Sequence, residues 1–400
     1  MMINRTIRTA MLLAPLVLLM SHCEYDVATP QWENDIEYTA VPIITDIDPS
    51  DGAAPGVNTI TINGENFIDV PESGVYFDNV PAEILFNSTT SIKVRRPDLV
   101  TESCTIKVVP NKSLVLAKRE NYRIDSILER YGAFLENMAL SVAAVDKDEN
   151  LYVIAATRSI IKVTSDGEKT TLGQAKRTAY YAVIGPDGKL YLMSNNRAVD
   201  AVDLSTGEVN EWVKLPSGKM ATCGDFDSNG YFYAGGRRTG LVIVAPNLTI
   251  TTTDFHKSDE IKGIRVYDRH VYLTLISASP DEQNPALAIW RHSIDETGNL
   301  GEKELVFDLT ADEEFSARTV NSIYFAADGT LYIGTDAPDP LLIADIDSQS
   351  MDYFYMNILP SYCKYFTWGS GNYIYMICGD TELGEEWTVY RVDMGSPVAP

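Results

Sequence analysis

The side chains best suited to proton transfer or metal ligation are few and scattered. The chain holds four histidines. His256, His270 and His292 sit in unrelated contexts, DFHKS, YDRHVY and WRHSI, without the HExxH or HxH spacing that sets two imidazoles on one face for zinc. A Ser-His-Asp triad is spatial and leaves no spacing to read, but the GxSxG turn that presents a nucleophilic serine is absent. Carboxylates cluster at 279–283, 312–315 and 384–387. In a chain with 56 acidic residues such runs read as solvated faces. The DKDEN, PDG, DSNG and ADG turns resemble calcium loops without meeting the full ligand pattern, and their regular placement makes them hairpin turns. No resident cofactor is expected; a divalent cation such as calcium is the alternative kept open.

The charge balance narrows the partners. With 32 basic residues the net charge is -24, which repels nucleic acid and anionic membrane surfaces. Membrane association is therefore expected only through the N-terminus. Arg5 and Arg8 precede an apolar run at 11–20 that is too short to span a bilayer, and acids follow at Glu24 and Asp26, which is signal-peptide grammar for 1–22. Cys23 directly follows. LMSHC resembles the lipobox of bacterial lipoproteins, with His22 where the family has a small residue and Met20 where it usually has leucine. That resemblance implies acylation of Cys23, export, and a place in the cell envelope, at the outer membrane or cell surface. Residues 23–40 are polar and aperiodic and read as a tether. The remaining thiols, Cys104, Cys223, Cys363 and Cys378, allow three full pairings; Cys363–Cys378 could bridge within one region, with buried free cysteines the simpler expectation.

Residues 41–118 carry short alternating runs, NTITING, SGVYFDN, AEILFN, TSIKVRRP and SCTIKVVP, separated by Gly, Pro, Asp and Asn turns, the pattern of a small β-sandwich. Pro49, Gly56, Ile62, Gly64, Asn66, Phe67, Val94 and Pro97 stand where the IPT/TIG family of immunoglobulin-like domains has its signature residues. The segment is similar to that family, whose members serve as spacers or binding modules.

Residues 119–395 repeat. A turn followed by an apolar–tyrosine strand recurs at Tyr152, Tyr191, Tyr233, Tyr272, Tyr332 and Tyr375, spaced by 39, 42, 39, 60 and 43 residues. Such intervals fit one four-stranded blade each. The fold expected is all-β: an N-terminal Ig-like β-sandwich plus a C-terminal six-bladed β-propeller that resembles NHL-repeat propellers. The last unit lacks one strand, and 121–128 is expected to supply it and latch the ring.

This topology places the second-to-third strand loops and the blade-to-blade segments on one face. Arg158, Arg197, Arg237 and Arg318 fall there with Tyr181 and Trp368. Arginine forks and aromatic rings together suit an anionic glycan or a protein partner. The function expected is an envelope binding or scaffold lipoprotein. Two alternatives stand beside it. One is a metal-dependent lactonase-like hydrolase, for which Asn321 and Glu260 are the nearest ligand candidates. The other is a structural subunit of an envelope assembly.

Overall fold

The computed structural model describes residues 39–399, apart from 73, 112, 136 and 381–384. The leader, Cys23 and nearly all of the tether lie outside the described residues. No helix occurs among the described residues; the chain forms eight four-stranded sheets.

Two sheets belong to the N-terminal unit. One orders its strands Ile43–Asp48, Thr59–Glu65, Ser91–Arg95 and Ile84–Asn87; the other orders Val80–Pro81, Val75–Phe77, Thr101–Val108 and Ala117–Ile124. Alternation drives the packing: Ile60, Ile62, Ile92, Val94, Val75, Phe77, Ile106 and Val108 point into one shared core and are fully buried. Each such side chain contributes about 1.5–3 kcal/mol of hydrophobic stabilisation. Gly64 is required because a Cβ there would collide with the Ile43 carbonyl and the Phe67 ring.

Six further sheets follow, each antiparallel throughout. Their first strands are Leu140–Val145, Tyr181–Ile184, Cys223–Phe226, Glu260–Tyr267, Val320–Phe325 and Cys363–Trp368. Each first strand lies against the next, and the sixth lies against the first. The recurrent tyrosines explain the repeat. All six rings are buried. The Tyr152 and Tyr191 hydroxyls donate to the turn carboxylates of Asp146 (2.9 Å) and Asp187 (3.0 Å). Tyr375 instead donates to Glu149 of the first sheet at 3.2 Å, and Glu149 also accepts from Ser370 Oγ and the Gly371 amide. One carboxylate thus ties the sixth sheet to the first.

The sixth sheet takes three strands from the C-terminal region and its fourth from Leu128–Tyr131. This corrects the expected latch at 121–128. Ala117–Ile124 crosses the anticipated boundary at 118 and pairs with Thr101–Val108 in the N-terminal unit instead. The reason is side-chain alternation: Tyr122 and Ile124 bury in the N-terminal core, whereas Tyr131 belongs to the core of the six-sheet region. The latch is held by Arg391, which pairs with Glu129 and lies over the Tyr131 and Tyr373 rings at 4.6 and 4.5 Å. Cys363 and Cys378, cross-strand partners in this sheet, form a disulfide, against the expectation of free thiols; Cys104 and Cys223 are free and buried.

The two regions are joined by more than the chain. Arg95 makes a bidentate bond to Asp352 (2.6 and 3.0 Å), and Asn58 bonds both the Tyr353 carbonyl and the Tyr355 amide. The Tyr355 hydroxyl accepts from Gly56 N at 2.6 Å and donates to the Asp393 carbonyl. Arg96, 4% exposed, bonds the carbonyls of Ala53, Ala54 and Asp125 beneath this joint.

Candidate functional site

A cavity of about 800 Å³ lies where the first strands of the six sheets converge. That volume is in the range of small-molecule sites. It is lined chiefly by the ends of those strands and by the turns that follow them, including Gly185, Asp227–Asn229 and Asp268–Arg269. This is the end of the array away from the second-to-third strand loops.

At its floor two charged side chains rise from neighbouring first strands. Asp225 is 6% exposed; its Oδ1 accepts from the Phe226 amide and its Oδ2 from the Val266 amide, both at 2.9 Å. Arg265 places Nη1 at 3.7 Å from Asp225 Oδ2 and its guanidinium 4.6 Å above the Tyr324 ring. Burial raises the Asp225 carboxyl above the usual carboxylate range, opposed by the Arg265 charge. Burial likewise works against the Arg265 charge, and Asp225 together with the Tyr324, Tyr181 and Tyr365 phenols more than restores it. Each charge opposes part of the other's desolvation.

Tyrosines close the axis behind this pair. Tyr181 donates to the Ile264 carbonyl, Tyr324 to the Phe366 carbonyl and Tyr365 to the Ala182 carbonyl, each at 3.2 Å. Burial pushes the Tyr181 and Tyr365 phenols far above their ordinary value, so they remain neutral donors. Tyr267, stacked on Phe325 at 4.2 Å, and Trp368 add aromatic wall. Asp227, Asp268, Asp295 and Glu296 make the outer lining acidic.

The expected ligand-binding residues divide. Tyr181 and Trp368 line the cavity; Arg158, Arg197, Arg237 and Arg318 do not. Each arginine is engaged locally. Arg158 bonds the Lys176 carbonyl and Arg197 the Leu215 carbonyl. Arg237 faces Glu260 at 3.8 Å. Arg318 bonds the Pro338 and Asp339 carbonyls and the Tyr353 hydroxyl. Among the described residues no hydrogen bond or ion pair links any two of them. Asn321 bonds the Cys363 carbonyl and Glu260 pairs with Arg237 and Lys262, so these two lie in separate settings. Among the described residues no group of three or more His, Cys, Asp or Glu side chains converges to hold a metal ion.

Asp225, Arg265 and Tyr324 were not singled out by sequence reading. A signal was present: CGDF and IKGIRVY each put a charge inside a strand that must face a crowded axis. Unforeseen too is the meeting of His256 and His292, whose Nε2 atoms lie 3.0 Å apart, with His256 lining a cavity of about 180 Å³.

None of the curated proteins matches the chain in sequence. Among solved structures, a protein of unknown function from Bacteroides thetaiotaomicron is 12% identical at a TM-score of 0.52, covering 89% of this chain and 98% of its own. An auxiliary nutrient binding protein from the same organism is 9% identical at 0.51, covering 88% and 98%. A gluconolactonase from Xanthomonas campestris is 11% identical at 0.51, covering 68% and 89%. These neighbours are propeller-like, and at such identities the likeness shows the fold alone. Residues 42–120 match the IPT/TIG domain family, so the chain is an all-β protein that carries an IPT/TIG domain beside a propeller-like region.

Proposed function

We propose that the chain is an exported binding protein of the cell envelope, anchored through Cys23. Its IPT/TIG sandwich acts as a spacer, and its six sheets form a six-bladed propeller latched by Leu128–Tyr131. The cavity at the propeller axis receives a small polar ligand. The observation that carries this reading is the cavity itself: about 800 Å³, walled by Tyr267, Tyr324 and Trp368, with an ion pair at its floor and acceptors along its rim. Aromatic faces beside fixed polar groups are how proteins hold sugars and other compact polar molecules. The nutrient-binding neighbour supports the same reading.

The test is isothermal titration of the lipid-free protein with neutral and acidic mono- and disaccharides and with short peptides. Binding that is lost in Trp368→Ala, with the melting curve kept, supports the cavity as the site. Chelator-sensitive turnover of a lactone would replace this reading with the hydrolase. Titrations without heat, together with stoichiometric co-purification of one envelope protein, would replace it with the structural subunit. Fatty-acid labelling of wild type against Cys23→Ala tests the anchor; equal labelling of the two refutes it.

A further inference from the structure

Resting on the cavity reading above, we propose that Arg265 receives a carboxylate group, so that the ligand is a small organic acid with hydrogen-bond donors at its far end. Arg265 lines the cavity and keeps 22% of its side-chain surface accessible. Among the described residues no acceptor lies within hydrogen-bond reach of its guanidinium; its contacts are the 3.7 Å approach to Asp225 and the Tyr324 face. The other deeply set arginine, Arg96, differs in that its fork is filled by four backbone carbonyls. A buried guanidinium has five N–H donors to satisfy, and a planar carboxylate is the partner its fork matches bidentately.

Asp225 does not take that place. Its two oxygens already accept backbone amides, and it serves to balance the Arg265 charge. The Tyr324 ring under the guanidinium holds the fork flat and leaves its edge to the cavity. The rim sets the second half of the preference. Asp227, Asp268, Asp295 and Glu296 outnumber Arg269 there, so a ligand charged negatively throughout is repelled. A ligand that offers hydroxyls or an ammonium toward the rim is favoured. Sugar acids and short peptides both have this polarity, acid at one end and donors at the other.

Matched pairs of probes separate the sources: glucuronate against glucose, and alanylalanine against its C-terminal amide, each titrated into the full lipid-free protein. The expected result is that one carboxylate member binds at least tenfold tighter than its carboxyl-free partner. Arg265→Lys, which keeps the charge and loses the fork, is then expected to remove that preference while the carboxyl-free partner binds as before. The pair that shows the effect names the source. Should Arg265→Lys fail to fold, the charge-balanced Asp225→Asn/Arg265→Gln variant carries the same test. Equal binding of both members of each pair, or a preference unchanged in the variants, overturns the carboxylate assignment and leaves the cavity reading standing. No binding of any probe, with no displacement at Trp368, overturns both.

Discussion

Replacing Tyr131 by alanine removes the centre of the latch. The ring is 7% exposed, meets Tyr375 edge-on at 5.3 Å and lies 4.6 Å beneath the Arg391 guanidinium. Its hydroxyl donates to the Thr164 carbonyl of the first sheet at 2.6 Å. Truncating a buried aromatic costs about 3–5 kcal/mol. At about 2–4 °C per kcal/mol for a region of this size, the melting midpoint should fall by roughly 6–20 °C. Tyr131→Phe isolates the hydroxyl and should cost only about 0.5–1.5 kcal/mol. Differential scanning calorimetry reads both, with Arg237→Gln as a surface control expected within about 0.5 kcal/mol of wild type. Because Arg391 sits on the ring, Tyr131→Ala and Arg391→Ala should be non-additive by about 0.5–3 kcal/mol. A midpoint for Tyr131→Ala within one or two degrees of the control (roughly the shift of a neutral surface change) would refute the latch as the element that holds the sixth sheet to the first.

Other outcomes follow from the same geometry. Asn58→Ala removes two bonds across the joint and Asp352→Ala the Arg95 pair; together they should cost about 1–3 kcal/mol and split one calorimetric transition into two. An unsplit, unshifted transition would show that the joint carries no energy. His256 and His292 are held below the ordinary histidine value, first by burial, and for His256 next by the charge of His292. A base depressed on folding binds protons more readily when unfolded, so stability is full above pH about 6.5 and falls as pH drops below it. His292→Gln should flatten that acid limb in urea titrations, and an unchanged slope would count against the pair. Reducing Cys363–Cys378, separated by 15 residues, should cost at most about 3 kcal/mol. Cys104 and Cys223, pushed by burial to about 11 and about 12, should resist iodoacetamide in the native state.

The features legible in the sequence were those written locally and repeated. The tyrosine after each turn recurs because each second strand buries a ring there, with the Tyr152 and Tyr191 hydroxyls tying down their own turns, and six copies make the period plain. Gly64 and the Ile60–Ile62 alternation mark the IPT/TIG domain for the same reason. Residues joined only by the packing of one sheet on the next were hidden. Asp225 and Arg265 are 40 positions apart, and His256 and His292 are 36. The latch was misplaced by a few residues because 121–128 and 128–131 are both β-like, and only the burial of Tyr122 in one core and Tyr131 in another separates them. The arginine rim rests on loop position alone, which does not give the local partners of a guanidinium, such as the Lys176 carbonyl for Arg158 and Glu260 for Arg237.

The sixth sheet joins Leu128–Tyr131 to strands ending at Asp393. The ribosome therefore delivers the first partner of this sheet about 230 residues before the strands it must meet, and the unmatched edges wait through nearly the whole of synthesis. Pairings of such long sequence separation form late and slowly. A nascent chain of this kind is open to edge-to-edge association until its last strands emerge, since an unpaired strand edge templates the same strand of a neighbouring copy. A transcript truncated after the fifth sheet would leave Leu128–Tyr131 without Glu385–Asp393 in every copy, and its visible product would be aggregates joined through unpaired strand edges in place of a smaller working protein.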